Sequence, residues 1–245
     1  MLNISIIYED DYLLVVNKPA GLLVHPTERG ETNTLTSWFL GKCPNTKDLA
    51  WPDPTRAGIA HRLDKETSGL IILAKNPEIL AKLQDEFREH TIKKTYQALV
   101  WGKTPEEGKI EAAIVRHPQK DMQTVQEMTF SFTKGTVRPS ITNFKTINRY
   151  RFKKEDLSLV EVYPETGRMH QIRVHFKHLG FPLIGDPLYF NKPSRRLSKE
   201  LGLVDRQFLH AVKLEFTHPE TGESLSFSSP LAEDLLIVLN KLRLA

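Results

Sequence analysis

The stretch HRLDKETSGLIILAK, residues 61–75, carries ionisable side chains at five of its first six positions and then an apolar run, Leu70 to Ala74. The run reads as a buried strand. Asp64 therefore stands between Arg62 and Lys65 at the mouth of that strand. An aspartate titrates near ~4 in isolation, and nearby cations favour its charged form. With Arg62 or Lys65 close by, Asp64 is expected to be an anion at neutral pH. That state suits a nucleophile or an electrostatic stabiliser and does not suit a general acid. The same residues also fit a neutralised surface turn. Thr67, Ser68 and Gly69 favour the first reading, because small residues let a ligand approach the backbone closely.

Outward from this segment, short β-rich runs dominate. Strands are expected at Ile4–Tyr8, Leu13–Val16, Leu70–Ala74, Thr95–Trp101 and Lys109–Val115. Others follow at Ile141–Thr146, Leu157–Val162, Phe208–Phe216 and Leu225–Phe227. A helix is expected after Asn76–Pro77–Glu78, where a cap, a proline and an early acid precede Ile79, Leu80, Leu83 and Phe87. A second opens at Ser229–Pro230, with Leu231, Leu235, Leu236, Leu239 and Leu242 as its buried stripe. A third covers Leu35 to Leu40, with Asn33 as cap. The polar, proline-containing segments 44–57 and 190–200 read as mobile flaps. Strands mostly follow strands, so the fold class is α+β: a large mixed, mostly antiparallel sheet flanked by helices and loops. Nothing divides residues 1–245 into separate domains.

The 245 residues, 40% hydrophobic and 26% charged, provide material for an ordinary core. No apolar run reaches the ~18 residues of a membrane span, and the acidic start MLNISIIYEDDYLL is unlike a signal peptide. A cytoplasmic location is expected. The lone Cys43 excludes an internal disulfide and a cysteine-rich metal site. A formal charge of +4 is mild support for a polyanionic partner.

Two further stretches carry chemistry. In ETGRMHQIRVHFKHLG, 165–180, Arg168, Arg173 and Lys177 lie among His170, His175 and His178. The histidine spacings of five and three align the set on one face of neither a strand nor a helix, and no metal site is expected. The cations fit either a solvated face or a binding surface. In HTIKKTYQALVWG, 90–102, Tyr96 follows Lys93 and Lys94 and shares a strand face with Ala98 and Val100. Its ring belongs either to the core or, with the hydroxyl in a cleft, to a base or stacking platform.

Taken together these stretches resemble the RluA-type pseudouridine synthases, almost from end to end. NKPAGLLVHP (17–26), RAGIAHRLDKETSGLIILAK (56–75), KKTYQALVWG (93–102), ETGRMHQIRVHFKHLGFPLIGDPLY (165–189) and LHAVKLEFTHPETGE (209–223) are similar to successive family motifs. The resemblance implies one pseudouridine-synthase-type domain with a central RNA-binding cleft. It also implies isomerisation of specific uridines in structured RNA, a tRNA or rRNA stem-loop, without cofactor or metal. By the same resemblance Asp64 is the catalytic carboxylate, Arg173 the cation paired with it from a distant strand, and Tyr96 the aromatic that packs on the base and accepts its C5 proton. Ile172 becomes an apolar wall beside the uracil, and Arg62 enters the RNA stack. His61, Arg168 and His170 are expected among the substrate-binding residues. Met169 and Ser140 depart from the family pattern, and no N-terminal S4-type RNA-binding domain is expected. Neither a membrane nor DNA is an expected partner, and a monomer is the default.

The isomerisation cleaves the C1′–N1 bond, turns the uracil and rejoins it through C5. It needs a carboxylate at C1′, as nucleophile or as base at the sugar, and an apolar slot that retains the detached base. Two rivals remain: an inactive RNA-binding protein of the same fold, and a hydrolase that releases uracil. The hydrolase would want a second carboxylate ~5 Å from the first, and Glu66 is the only local candidate.

Overall fold

The computed structural model describes residues 4–117, 122–126 and 139–245. The first elements are β1 (Ser5–Glu9), β2 (Leu13–Lys18), α1 (Leu35–Lys42), β3 (Ser68–Ala74) and α2 (Pro77–Arg88). Next come β4 (Lys93–Trp101), β5 (Glu107–Arg116), β6 (Gln123–Gln126), β7 (Pro139–Phe152) and β8 (Glu155–Pro164). The chain continues through α3 (Gln171–His178), α4 (Lys192–Leu201), β9 (Leu209–Thr217), β10 (Ser224–Ser228), α5 (Glu233–Leu239) and β11 (Arg243–Leu244). Each of the nine strands read from apolar runs forms.

Two compact units are present. The first comprises Met1–Lys94 and Ala211–Ala232, and the second Thr95–His210 and Glu233–Ala245. In the first, β1 pairs with β2, β2 with β3, and β10 with β9, all antiparallel. All seven residues of β3 are buried, as expected of a continuous apolar run covered on both faces. Helix α2 lays Ile79, Leu80 and Leu83 inward. Its start follows local chemistry: the Asn76 side chain accepts from the Ile79 N–H at 2.8 Å, and Pro77 occupies the first turn, where no N–H is needed.

In the second unit β4 pairs with β8, β8 with β7, β7 with β5, and β5 with β6, again antiparallel. Strand β7 is 14 residues long and outruns the expected Ile141–Thr146. A register shift between Thr146 and Asn148 explains the difference. The extra residue reverses the inward–outward alternation, so the apolar pattern breaks although the strand continues.

Several expectations need correction. The cap of α1 is Thr34, whose hydroxyl accepts from the Ser37 N–H at 3.2 Å, and not Asn33. The segment 190–200, read as a flap, is largely helix α4. Asn191 and Ser194 form its capping box, Pro193 lies in its first turn, and Gly202 closes it. The last helix starts at Glu233 and not at Pro230, and it buries Leu235 and Val238 while Leu236 is exposed. Residues 171–178, where a strand was expected to carry Arg173, form α3. That helix buries six consecutive residues, Gln171 to Phe176, so neither period of burial shows in its sequence.

Candidate active site

In the first unit the loop 61–67 leads directly into β3, and Asp64 is half-buried on it. The Thr67 N–H donates to the Asp64 carbonyl at 3.0 Å, closing a turn over Lys65 and Glu66. The Lys65 carbonyl is pinned from the other side. It accepts from the Gly21 N–H at 3.0 Å and from the Lys18 ammonium at 3.0 Å. Lys18 has no exposed surface, and its Nζ also donates to the carbonyls of Pro19 at 2.9 Å and Leu22 at 2.8 Å. A buried ammonium is tolerated only when its donors are used. Lys18 therefore ties the 17–26 segment to the turn bearing Asp64. The sequence reading did not single it out; its signal is a lysine ending the apolar run LLVVNK just before Pro19.

Gly69 follows at φ +115°, and a Cβ there would lie 2.4 Å from the backbone N and O of Ala211. No side chain fits, so β9 backs directly onto the loop's exit. Arg62 is exposed, with Nη1 3.4 Å from His25 Nε2. The His25 Nδ1–H donates to the Pro26 carbonyl at 2.8 Å, and burial pushes the ring below its ordinary pKa. His25 is thus the neutral tautomer whose free nitrogen faces Arg62. Glu66, half-buried, lies 4.0 Å from the exposed Lys65, a pair of little energetic weight.

His61 has a structural attachment. Its Nε2 accepts the Ile72 N–H at 3.1 Å, and its ring packs on Phe87 with centroids 4.4 Å apart. Burial first, then the Lys94 ammonium, push its pKa down to about 3. One ring nitrogen is therefore committed to β3. Lys94 itself lies over the Phe87 ring at 5.6 Å.

In the second unit Tyr96 lies on β4 opposite Val162 and is only 8% exposed. Ile172 and Arg173 occupy the first turn of α3, both buried. Arg173 meets Asp186 through two parallel hydrogen bonds, Nε to Oδ2 at 2.8 Å and Nη2 to Oδ1 at 3.0 Å. The same carboxylate accepts the N–H groups of Leu188 and Tyr189, each at 2.9 Å. The guanidinium also lies over the Tyr189 ring at 5.1 Å. Asp186 and Tyr189 are site residues the sequence reading missed. The signal available was an aspartate directly after the apolar FPLIG run, in GDPLY.

The start of α3 is under strain. His170 has φ +58°, a left-handed conformation uncommon outside glycine. Its ring is held by the Tyr189 hydroxyl at 2.9 Å, and that hydroxyl also accepts the Gln123 N–H at 2.7 Å. Gln171 is buried and satisfied. Its Oε1 accepts from the Thr166 hydroxyl and the Arg168 N–H, and its amide donates to the Ile141 carbonyl and the Thr142 hydroxyl. His175 donates Nε2–H to the Ala112 carbonyl and accepts from Thr142 at Nδ1, and burial pushes its pKa down to about 4. Both its nitrogens are thus engaged with protein. Arg168 and Met169 are exposed beside this turn.

Residues 12–178 match the family model described as RNA pseudouridylate synthase. The chain belongs to this family. Asp64, Tyr96 and Arg173 all fall inside the matched span. The chain is 42% identical over 245 residues to ribosomal large subunit pseudouridine synthase D of Neisseria meningitidis, covering 98% of this chain and 62% of that protein. The protein of the same name from Pseudomonas aeruginosa is 38% identical over 249 residues, covering 99% of this chain and 72% of the relative. This family member thus spans about three-fifths of the length of its Neisseria relative. Among solved structures, human RNA pseudouridylate synthase domain containing 1 superposes with a TM-score of 0.71 at 26% identity over 93% of this chain and 83% of that one. Among the described residues, no helix is long and apolar enough to cross a membrane.

Proposed function

We propose that the chain is an RNA pseudouridine synthase acting on uridines of large-subunit ribosomal RNA in the cytoplasm, as a monomer and without a cofactor. The observation that carries the reading is the Asp64 turn, fixed by Lys18 and Gly21 through the Lys65 carbonyl within a chain of this family. The rRNA target is taken from the printed names of the Neisseria and Pseudomonas relatives.

In this reading Asp64 acts at C1′ as the N1 bond breaks, either as nucleophile or as base at the sugar. Ile172 walls the slot in which the detached uracil turns, and that slot keeps water from the sugar. Tyr96 then takes the C5 proton once C5 has bonded to C1′. Arg173, held in one orientation by Asp186 and Tyr189, supplies fixed positive charge where the carboxylate works, and charge that need not reorganise is the efficient kind. A base inside a duplex must first leave the stack at a cost of ~a few kcal/mol. Arg62, steadied by His25, fills the gap, because its guanidinium can stack on a base and touch phosphate. Arg168 contacts the backbone near the strained His170 turn, and His61 acts by holding β3.

The test is Asp64→Asn, assayed by chromatography of digested rRNA. The expected variant folds, binds RNA and makes no pseudouridine. Measurable turnover by it refutes the role of Asp64, and free uracil from the wild type refutes the isomerase reading.

A further inference from the structure

A second charged feature lies well away from Tyr96 within the second unit. The β7–β8 hairpin, the turn after β4 and the β11 tail enclose a cleft of about 930 Å³. Its lining includes six cations, Lys103, Arg149, Arg151, Lys153, Lys241 and Arg243, and the carboxylate of Asp156. The ring-bearing residues Tyr150 and Phe152 line it too. Strand β11 builds one wall by pairing Arg243 with Arg151 and Leu244 with Tyr150. Such a concentration of like charge raises the free energy of the folded chain unless anions offset it. The protein offsets it only in part. Arg149 pairs with Glu106 at 2.6 Å, Arg151 with Asp156 at 3.1 Å and Lys153 with Glu200 at 2.8 Å. Lys241 is spent on the Leu201 carbonyl at 2.7 Å. Lys103 and Arg243, both exposed, have no ion pair among the described residues. The buried Nε of Arg149 has no hydrogen-bond partner among the described residues either.

The position of the cleft separates it from the chemistry. Along β4 and β8, Tyr96 faces Val162 while Trp101 faces Leu157, and Leu157 lines the cleft. Five residue steps along a strand span about 17 Å. That distance corresponds to about five phosphates along one strand of a nucleic-acid helix. Cations with a preference for phosphate, interleaved with aromatic rings on one strand, make a surface for a nucleic-acid backbone. We propose that this cleft docks the phosphodiester backbone of the substrate RNA at a segment flanking the target uridine, with Lys103 and Arg243 as its principal phosphate contacts. The proposal rests on the RNA-modifying reading above and adds a binding surface to it.

The test is Lys103→Ala with Arg243→Ala, titrated against protein-free, transcribed large-subunit rRNA over a series of salt concentrations. Loss of two phosphate contacts lowers the slope of log K against log salt by about 1.4–1.8 and raises Kd about tenfold at physiological salt. Pseudouridine formation at saturating RNA is expected to match the wild type. Unchanged affinity and slope overturn the proposal and leave the cleft to an acidic protein or to solvent. If the variant fails to fold, ultraviolet crosslinking of the wild type to the same RNA decides instead. An adduct on the peptide holding Tyr150 and Phe152 supports the surface, and none there overturns it. The two readings fail separately. A wild type that binds through the cleft without isomerising sinks the catalytic reading alone, and one that isomerises while the variant binds normally sinks this one alone. A wild type that binds no RNA sinks both.

Discussion

Asp186→Asn isolates the charge that holds Arg173 in place. The Arg173 side chain is 5% exposed and that of Asp186 not at all, so solvent cannot replace either partner. With contacts of 2.8 and 3.0 Å the charge centres lie about 4 Å apart, which at an effective dielectric of 20 corresponds to ~4 kcal/mol. Breaking a buried pair by removing one charge costs about 3–5 kcal/mol, because the remaining buried charge loses its bidentate partner. Asparagine keeps the volume and can still accept the N–H groups of Leu188 and Tyr189 through one oxygen. The loss therefore reports the charge. A fall in Tm of roughly 8–16 °C is expected for ~4 kcal/mol in a chain of this size. The assay is denaturant and thermal unfolding of the single variants and of Asp186→Asn with Arg173→Met. The double variant should recover part of the loss, with a coupling of about 3 kcal/mol. A single variant within about 1 kcal/mol of wild type, or a double variant whose loss equals the sum, refutes the reasoning.

Lys18→Met should cut turnover more than RNA affinity, since it frees the Lys65 carbonyl and slackens the Asp64 turn; equal effects on kcat and Kd would contradict this. Tyr96→Phe keeps the buried ring and removes the proton acceptor, so turnover is expected to fall about 10²–10⁴-fold, and a kcat within a few-fold of the wild type would contradict the role. The pH dependence follows from His61 and His175, whose folded pKa values, about 3 and about 4, lie below the unfolded 6.5. Below pH 6.5 the unfolded chain binds protons that the native protein refuses, so stability falls as pH falls. Between pH 6.5 and 5 the two together cost roughly 3 kcal/mol. Urea midpoints should show this decline, and the double variant His61→Gln with His175→Gln should flatten it.

Local sequence determined nine of the described strands, all but β6 and β11, because their apolar runs and alternations need no partner to be recognised. It also determined α2, whose cap, proline and acidic first turn are contiguous in Asn76–Pro77–Glu78. The Asp64 segment was legible for the same reason: charge, small residues and buried strand follow one another within 61–75. Helix α3 was not legible. Its polar Gln171 and His175 are buried because Thr142, Ile141 and Ala112, some 30 to 60 residues away in the chain, accept or supply their hydrogen bonds. The Asp186 anchor of Arg173 and the three carbonyls that hold Lys18 were equally hidden. A buried charge is stable only beside a partner in space. The sequence names the charged residues in order, but only the folded backbone determines which of them meet.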